Sequence, residues 1–403
     1  MLKEIKKPNR DHARRVLQCL VAAIRPLRVE ELAEVLAVDF EDPEGVPKLK
    51  PSWRWEDQEQ ALLTSCSSLI VVVGTGRSRA VQFSHFSVKE YLTSARLATS
   101  SQDVSRYHIA LEPAHTILAQ ACVSVLLQSS DYYGQGNVEK NVPLAGYAAE
   151  YWVRHAQFED VVSRIKGTEY LFDPDKPHFA AWRRLHDIDI GSSHPSVFHG
   201  FTPISKGRAI TPLYYAALCG FSNLVEQLIV QHPQQVYAIG GYYMTPAVAA
   251  LAGRHFQLAQ VLHRNGSPVD LRGFSRWSPL HSAAHYGDLE MVQILLDYGA
   301  DIGALSKIEY SPLHCASHGF FDGSRDVVRL LLDRGADPNL RVQNGSTPLH
   351  LASQHGKIEI VRLLVERGTT VEAQDNDDRT ALDVASGEQR DEIIKLLMEH
   401  SAK

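Results

Sequence analysis

The reading of this chain turns on Ser278-Pro-Leu-His-Ser-Ala-Ala-His-Tyr-Gly287, followed after Asp288 by Leu289-Glu-Met-Val-Gln-Ile-Leu-Leu-Asp-Tyr-Gly-Ala-Asp301. A serine ahead of a proline is a helix start. The hydroxyl can accept an orphan backbone N–H, and a proline in the first turn has no N–H to lose. Ala283 keeps one side of this helix small, so that a neighbour can approach. Gly287 then offers a left-handed stop. The next segment carries Val292-Gln-Ile-Leu-Leu296, an apolar stripe at helical spacing, and Gly299 ends it.

Working outward, the same grammar returns. Thr211-Pro-Leu, Thr245-Pro-Ala, Ser278-Pro-Leu, Ser311-Pro-Leu, Thr347-Pro-Leu and Thr380-Ala-Leu follow one another at spacings of 34, 33, 33, 36 and 33 residues. A three-residue insertion near Phe321-Asp-Gly-Ser-Arg325 accounts for the 36. Ala316 and Ala352 repeat Ala283; Gly319 and Gly356 repeat Gly287; Gly335 and Gly368 repeat Gly299. A period in this range, with two helices and a turn per unit, marks a solenoid whose units bury their apolar faces only by stacking. These units resemble ankyrin repeats, and the resemblance covers residues 201–403. Units one and two are weaker: Ala247 stands for Leu and Val248 for His. The sixth, Thr380-Ala-Leu-Asp-Val-Ala-Ser, reads as a cap closed by a last helix at Asp391-Glu-Ile-Ile-Lys-Leu-Leu-Met398.

The N-terminal half shows no such period. Asp11–Ile24 reads as an amphipathic helix, and Pro26–Val38 as a turn, then a helix capped by acidic residues. Residues 41–51 hold three prolines and read as a loop, and Glu56–Cys66 as a helix. Leu69-Ile-Val-Val-Val73 and Ala80-Val-Gln-Phe83, joined by Gly74-Thr-Gly-Arg-Ser-Arg79, form a β-hairpin, and His85–Leu92 opens another helix. Three helices and a hairpin in this order make a winged helix, placed at residues 1–100. Residues 101–200 read as a helical linker, with a stripe at Ile109, Leu111, Ile117, Leu118, Cys122, Val125 and Leu126 and a polar break at 129–140. The expected fold is mainly α.

A second resemblance rests on Phe83-Ser-His-Phe-Ser-Val-Lys-Glu-Tyr-Leu92 and Tyr147-Ala-Ala-Glu-Tyr-Trp-Val-Arg-His155. Both resemble fungal NLR-like proteins of the NACHT type, which follow their nucleotide-binding module with a winged helix, a helical linker and ankyrin repeats. The winged-helix part is similar to the domain described in GPI inositol-deacylase-like proteins, a label that implies no deacylase activity. The NACHT module is expected to be missing, since the sequence contains no Gly-x-x-x-x-Gly-Lys-[Ser/Thr]. ATP-driven oligomerisation is therefore not carried over from the resemblance.

Composition narrows the function. Lys plus Arg number 41 and Asp plus Glu 47, a net charge of −6, against the basic excess of a general nucleic-acid binder. Residues 1–15 hold six Lys/Arg against Glu4 and Asp11 and read as a solvated helix start. The five cysteines, Cys19, Cys66, Cys122, Cys219 and Cys315, lack any CxxC and read as small buried side chains in a reducing compartment. The longest apolar run, Leu69–Val73, is far too short for a bilayer, so no membrane insertion is expected. No Gly-x-Ser-x-Gly or His-Glu-x-x-His occurs, so no catalytic residue, cofactor or metal is expected. Asn265-Gly-Ser and Asn344-Gly-Ser match glycosylation sequons but read as turns.

The ankyrin resemblance implies that His281, His314 and His350 bond their own turn and bridge to the next repeat. His285, His318 and His355 fall at a second repeat position, expected about 10 Å apart and too distant to share a metal. Binding is expected at the fingers before each Ser/Thr-Pro and on the concave face, with Tyr242, Tyr243, Phe274, Arg276, Trp277, Ile308 and Tyr310 as partner-binding residues. The acidic last finger, Asp375-Asn-Asp-Asp378, is expected to solvate the end of the array. In the hairpin, Arg77 and Arg79 offer only a weak contact to nucleic-acid phosphate. The expectation is a cytoplasmic, non-enzymatic scaffold or adaptor binding a protein partner and no small-molecule substrate. The alternative is an ankyrin transcription coregulator acting in the nucleus.

Overall fold

A computed structural model describes residues 2, 5–41, 45–129, 141–188, 210–241, 243–270, 277–319, 321, 323–385 and 390–401. They fall into two compact units, Met1–Gly191 and Ser192–Lys403. Among the described residues no helix is long and apolar enough to cross a membrane.

The first unit begins with α1 (Arg10–Ala22), which buries Val16, Leu17 and Leu20 on one face. β1 (Leu27–Arg28) leads into α2 (Val29–Leu36), and β2 (Val38–Asp39) pairs with β3 (Lys48–Leu49). After α3 (Gln58–Cys66) come β4 (Ile70–Val73) and β5 (Ala80–Phe83), paired with Val72 opposite Val81, and then α4 (Phe86–Leu92). The sheet order is β1-β5-β4, all antiparallel, which gives the N-terminal winged helix. Where a turn was expected at the start of Pro26–Val38, residues 27–28 form the third strand, with Leu27 opposite Val81. The acidic residues of α2 do more than cap it. Glu31 is fully buried, accepts the Arg28 N–H at 2.8 Å, and holds the Arg25 guanidinium through two bonds of 2.8 Å. Glu34, 1% exposed, accepts from Arg54 and from the Leu144 N–H.

Glu34 therefore ties the winged helix to the helical segment that follows. This comprises α5 (Ala95–Ala98), α6 (Gln102–Ser105), α7 (Leu111–Ser129), α8 (Ala145–Ala156), α9 (Thr168–Leu171) and α10 (His178–Leu185). α7 packs on both α1 and α8, so no gap in packing falls near residue 100. Of the expected stripe, Leu111 is exposed, while Leu118, Cys122, Val125 and Leu126 are fully buried. The centre of this segment is aromatic: Trp152 and Trp182 meet edge to face at 5.2 Å, and Phe172 and Phe179 close around Trp182. The Trp182 indole N–H donates to the Ala149 carbonyl at 3.0 Å, which satisfies the one polar atom of that ring. Most of the expected break at 129–140 lies outside the described residues.

The second unit is a stack of helix pairs: α11 (Pro212–Cys219) with α12 (Ser222–Gln231), α13 (Pro246–Ala252) with α14 (Phe256–Arg264), α15 (Pro279–Tyr286) with α16 (Leu289–Asp297), α17 (Pro312–Ser317) with α18 (Ser324–Asp333), and α19 (Pro348–Gln354) with α20 (Ile358–Glu366). First helices touch first helices, α11 on α13, α15 on α17 and α17 on α19, and second helices touch second helices, α16 on α18 and α18 on α20. Each Ser/Thr ahead of a proline is the N-cap, as expected. The inserted residues lengthen the turn between α17 and α18. There Gly323 lies against Gly287 of the preceding repeat so tightly that a Cβ on Gly323 would stand 2.0 Å from the Gly287 carbonyl oxygen. The sixth unit differs from expectation at its start. Residues 381–384 form a turn, because the Thr380 N–H and hydroxyl both bond the Asp383 carboxylate (2.8 Å each) in a local loop. α21 (Arg390–Ser401) closes the array as expected.

Candidate functional site

The first histidine position sets the frame. The Ser278 N–H donates to His281 Nδ1 at 3.1 Å, and the Ser278 hydroxyl lies 2.8 Å from the same nitrogen. That nitrogen is therefore the bare one, and Nε2–H donates across to the Tyr310 carbonyl, 2.9 Å away and 29 residues on. His350 repeats the pattern with Thr347 and the Arg379 carbonyl, again 29 residues on. His314 makes the same cap with Ser311. Burial holds the His314 imidazole down to about 4, and its buried Nε2 has no hydrogen-bond partner among the described residues. The two weak repeats reach the same end with other groups. Tyr214 occupies the histidine position, and its hydroxyl accepts the Tyr243 N–H at 3.0 Å, 29 residues on. Where Val248 replaces the imidazole, the Thr245 hydroxyl itself donates to the Pro268 carbonyl at 2.8 Å. Neither substitute was legible from sequence, because tyrosine and threonine at these places read as ordinary core and cap.

The second histidine position builds a surface. His285 and His318 have ring centroids 6.5 Å apart, and His318 and His355 only 4.6 Å. The expected 10 Å is corrected: the rings lean toward one another along the stack. Among the described residues, no group of three or more His, Cys, Asp or Glu is placed to hold a metal ion. Burial lowers all three imidazoles, His318 to about 4. Aromatic rings extend the line. Trp277 meets His285 edge to face at 6.0 Å, Tyr310 lies 5.7 Å from His318, and Phe321, exposed at 42%, lies 6.0 Å from His285. Trp277, His285, His318 and His355 thus form one half-buried row of rings across three successive repeats.

The finger residues divide. Tyr242, Phe274 and Arg276 lie outside the described residues. Ile308 is half exposed and lines a cleft of about 320 Å³ with Tyr310, Val342, Gln343 and Asn344 of the next finger. Trp277 and Tyr310 are half-buried, folded back onto the histidines of their own helices. Tyr243 is corrected: it is buried at 7%, packed inward where its amide meets Tyr214. Of the acidic finger, residues 376–378 are exposed, and only Asp375 departs from the expected solvating role: it is 4% exposed, its carboxylate accepts from the Asp377 and Arg379 amides and grips the Arg379 guanidinium at 2.8 and 3.0 Å.

The wing offers little to phosphate. The Arg79 guanidinium is held by the carboxylates of Glu59 and Glu30, so its charge is spent within the fold; the side chain of Arg77 lies outside the described residues. His85 caps α4: its Nδ1 receives the Ser87 N–H at 3.2 Å and lies 2.7 Å from the Ser87 hydroxyl, the helix-opening role expected of it. All five cysteines are free and buried, and burial pushes the thiols of Cys19 and Cys66 up to about 12.

Comparison with known proteins agrees with this geometry. Residues 2–102 match the family described as GPI inositol-deacylase, winged helix domain, and residues 247–342 and 313–403 match ankyrin repeats. The azaphilone pigments biosynthesis cluster protein L of Monascus ruber is 31% identical over 276 residues, 64% of this chain and 56% of that protein. The ankyrin repeat and SAM domain-containing protein 6 of Mus musculus is 37% identical over 90 residues, 22% of this chain and 10% of that protein. The chain thus spans about half the length of the first of these relatives and a tenth of the second. Ankyrin repeats are non-catalytic interaction modules. The chain joins a winged helix of the GPI-inositol-deacylase type to an array of ankyrin repeats, whose role is to bind proteins.

Proposed function

We propose that this chain is a non-enzymatic scaffold or adaptor that holds a protein partner along the ring row of its repeats. The observation that carries the reading is the continuity of that row over three repeats, from Trp277 through His285 and His318 to His355, beside the Ile308 cleft. Rings held by their neighbours present large contact area at little ordering cost, which favours binding without rearrangement. Ile308 and Phe321 supply the exposed apolar contacts, and Trp277 and Tyr310 act from beneath by fixing the imidazoles. The protein works in the cytoplasm on this reading. The engagement of Arg79 by two carboxylates leaves the nuclear coregulator without support from the wing.

The test is affinity purification from the native host, comparing wild type with an Ile308→Ser, Phe321→Ser, His355→Ala variant of unchanged helicity. A partner held by wild type and lost by the variant supports the reading. A partner held equally by both removes the ring row as the site. Nuclear accumulation of the tagged chain with salt-sensitive DNA binding would favour the coregulator instead.

A further inference from the structure

The first unit contains a buried chain of hydrogen bonds that none of the foregoing uses. It begins just after α1, where the Ile24 N–H donates to the Tyr147 hydroxyl oxygen at 3.2 Å. That oxygen lies 2.8 Å from His155 Nε2 on the same helix, α8. His155 Nδ1 in turn lies 2.8 Å from Nδ1 of His115 on α7. His155 is fully buried; His115 is half-buried, its ring stacked on Phe158 at 4.1 Å.

Satisfying every buried proton sets the direction of the links. A backbone amide can only donate, so Tyr147 accepts there, and its own O–H finds its acceptor in His155 Nε2. His155 then carries its proton on Nδ1 and donates it to His115 Nδ1, and His115 carries its proton on Nε2. The whole chain runs one way, from Ile24 to His115, and both imidazoles are neutral.

The charged and titratable groups around it leave His115 as the point of entry. Lys89 of α4 faces His115, and Arg154 of α8 faces His155. Arg25, Cys19 and Cys122 face Tyr147, and Arg25 is already bound to Glu31. On α7, Glu112 precedes His115 by one turn and is taken by Arg164 of the 3₁₀ segment 158–164. α10 presents Trp182 to α8 through its indole N–H. No carboxylate in this set is free to hold an imidazolium.

We infer that this chain is an acid-operated switch in which a proton taken up by His115 reverses every hydrogen bond back to Tyr147. The only bare nitrogen of His115 is Nδ1, which already accepts. Once it gains a proton it becomes the donor, so His155 must release its Nδ1 proton and carry one on Nε2. Tyr147 then receives N–H groups from both Ile24 and His155, and its hydroxyl proton loses its acceptor inside the core. The cost of that orphaned group falls at the joint between α1 and α8, which opens. Burial lowers both imidazoles, His155 to about 3, in agreement with a chain that favours the neutral state.

The test is hydrogen exchange on the full chain at pH 7 and pH 5, corrected for intrinsic exchange, in wild type and in His115→Asn. Asparagine presents an acceptor to His155 and cannot take the proton. The variant keeps the acid sensitivity of buried His155, and the expected result is a rise in opening around residues 24 and 147 at pH 5 that is about tenfold greater in wild type than in the variant. An equal rise in both overturns the inference. Nitrogen-15 shifts of the imidazoles at pH 7 give a second reading, free of any variant. His155 protonated on Nδ1 and His115 on Nε2 are expected; the opposite tautomers overturn the one-way chain.

Discussion

His281 serves two repeats with one ring: Nδ1 takes the N–H of its own cap and Nε2–H reaches the carbonyl of Tyr310. His281→Ala leaves the buried Ser278 N–H without a partner and the Tyr310 carbonyl with only the Ser306 N–H, a loss of about 1–3 kcal/mol measurable by urea unfolding. Acid attacks the same residue type. His314 titrates near 4 in the fold against the ordinary value of about 6.5, so the unfolded chain binds the extra proton first. Its contribution is complete above about pH 6.5 and is lost as the pH falls toward 4. The full loss is about 3 kcal/mol, to be read from unfolding midpoints at pH 7 and pH 4.5 in wild type and His314→Gln. The imidazole positions were legible because they recur in register; their polarity was not. Nothing in the sequence says that Tyr214 accepts where His281 donates, because that depends on which backbone group the next repeat turns toward it.

At the scale of elements, the second helices were legible from their stripes, and the first helices from cap, proline and glycine. Two features were not. β1 is two residues long and carries no periodicity; only its pairing with β5 makes it a strand. The helix expected at Thr380 is a turn, since Asp383 competes for the groups that would start it. The approach of Gly323 to Gly287 is a further long-range feature. Gly323→Ala places a Cβ against backbone, where no rotamer relieves it, and costs upward of about 2 kcal/mol, with protection lost first in α18 by hydrogen exchange. In the first unit, Glu31→Ala removes the acceptor of the Arg28 N–H and of two guanidinium groups. Because those arginines are about a third exposed and regain water, the expected loss is about 2–3 kcal/mol in denaturant titration, below that of a fully buried pair.

For the whole molecule, the array of repeats was legible, because a period near 33 residues runs through the C-terminal half and not the N-terminal one. That α7 packs on α1 was not, since it depends on contacts distant in sequence. The candidate surface was half legible. The fingers drew attention to Trp277, Ile308 and Tyr310, but the row of imidazoles emerged only when the repeats were stacked. A solenoid is held by its nearest neighbours, so damage should stay local. Leu331 is fully buried in α18, and Leu331→Ala is expected to cost about 2–5 kcal/mol. Exchange should rise in α17 to α20 while α11 and α12 keep their protection.

The bridge that joins three of the first helices to the backbone 29 residues on, at Tyr214, His281 and His350, acts as a ruler. It measures chain length, and any residue added within its span must be looped out or the next carbonyl slips past the donor. The three extra residues of the fourth unit are stored in the turn between α17 and α18, and there the chain folds Gly323 back onto Gly287. In that unit the bridge is missing: the buried Nε2 of His314 has no hydrogen-bond partner among the described residues. Length can change in this array at the inter-helix turns, where it lengthens a loop, and scarcely anywhere else. An alanine pair inserted after Gly319 should leave the caps of the next repeat in place, whereas the same pair inserted after Leu363 should undo them.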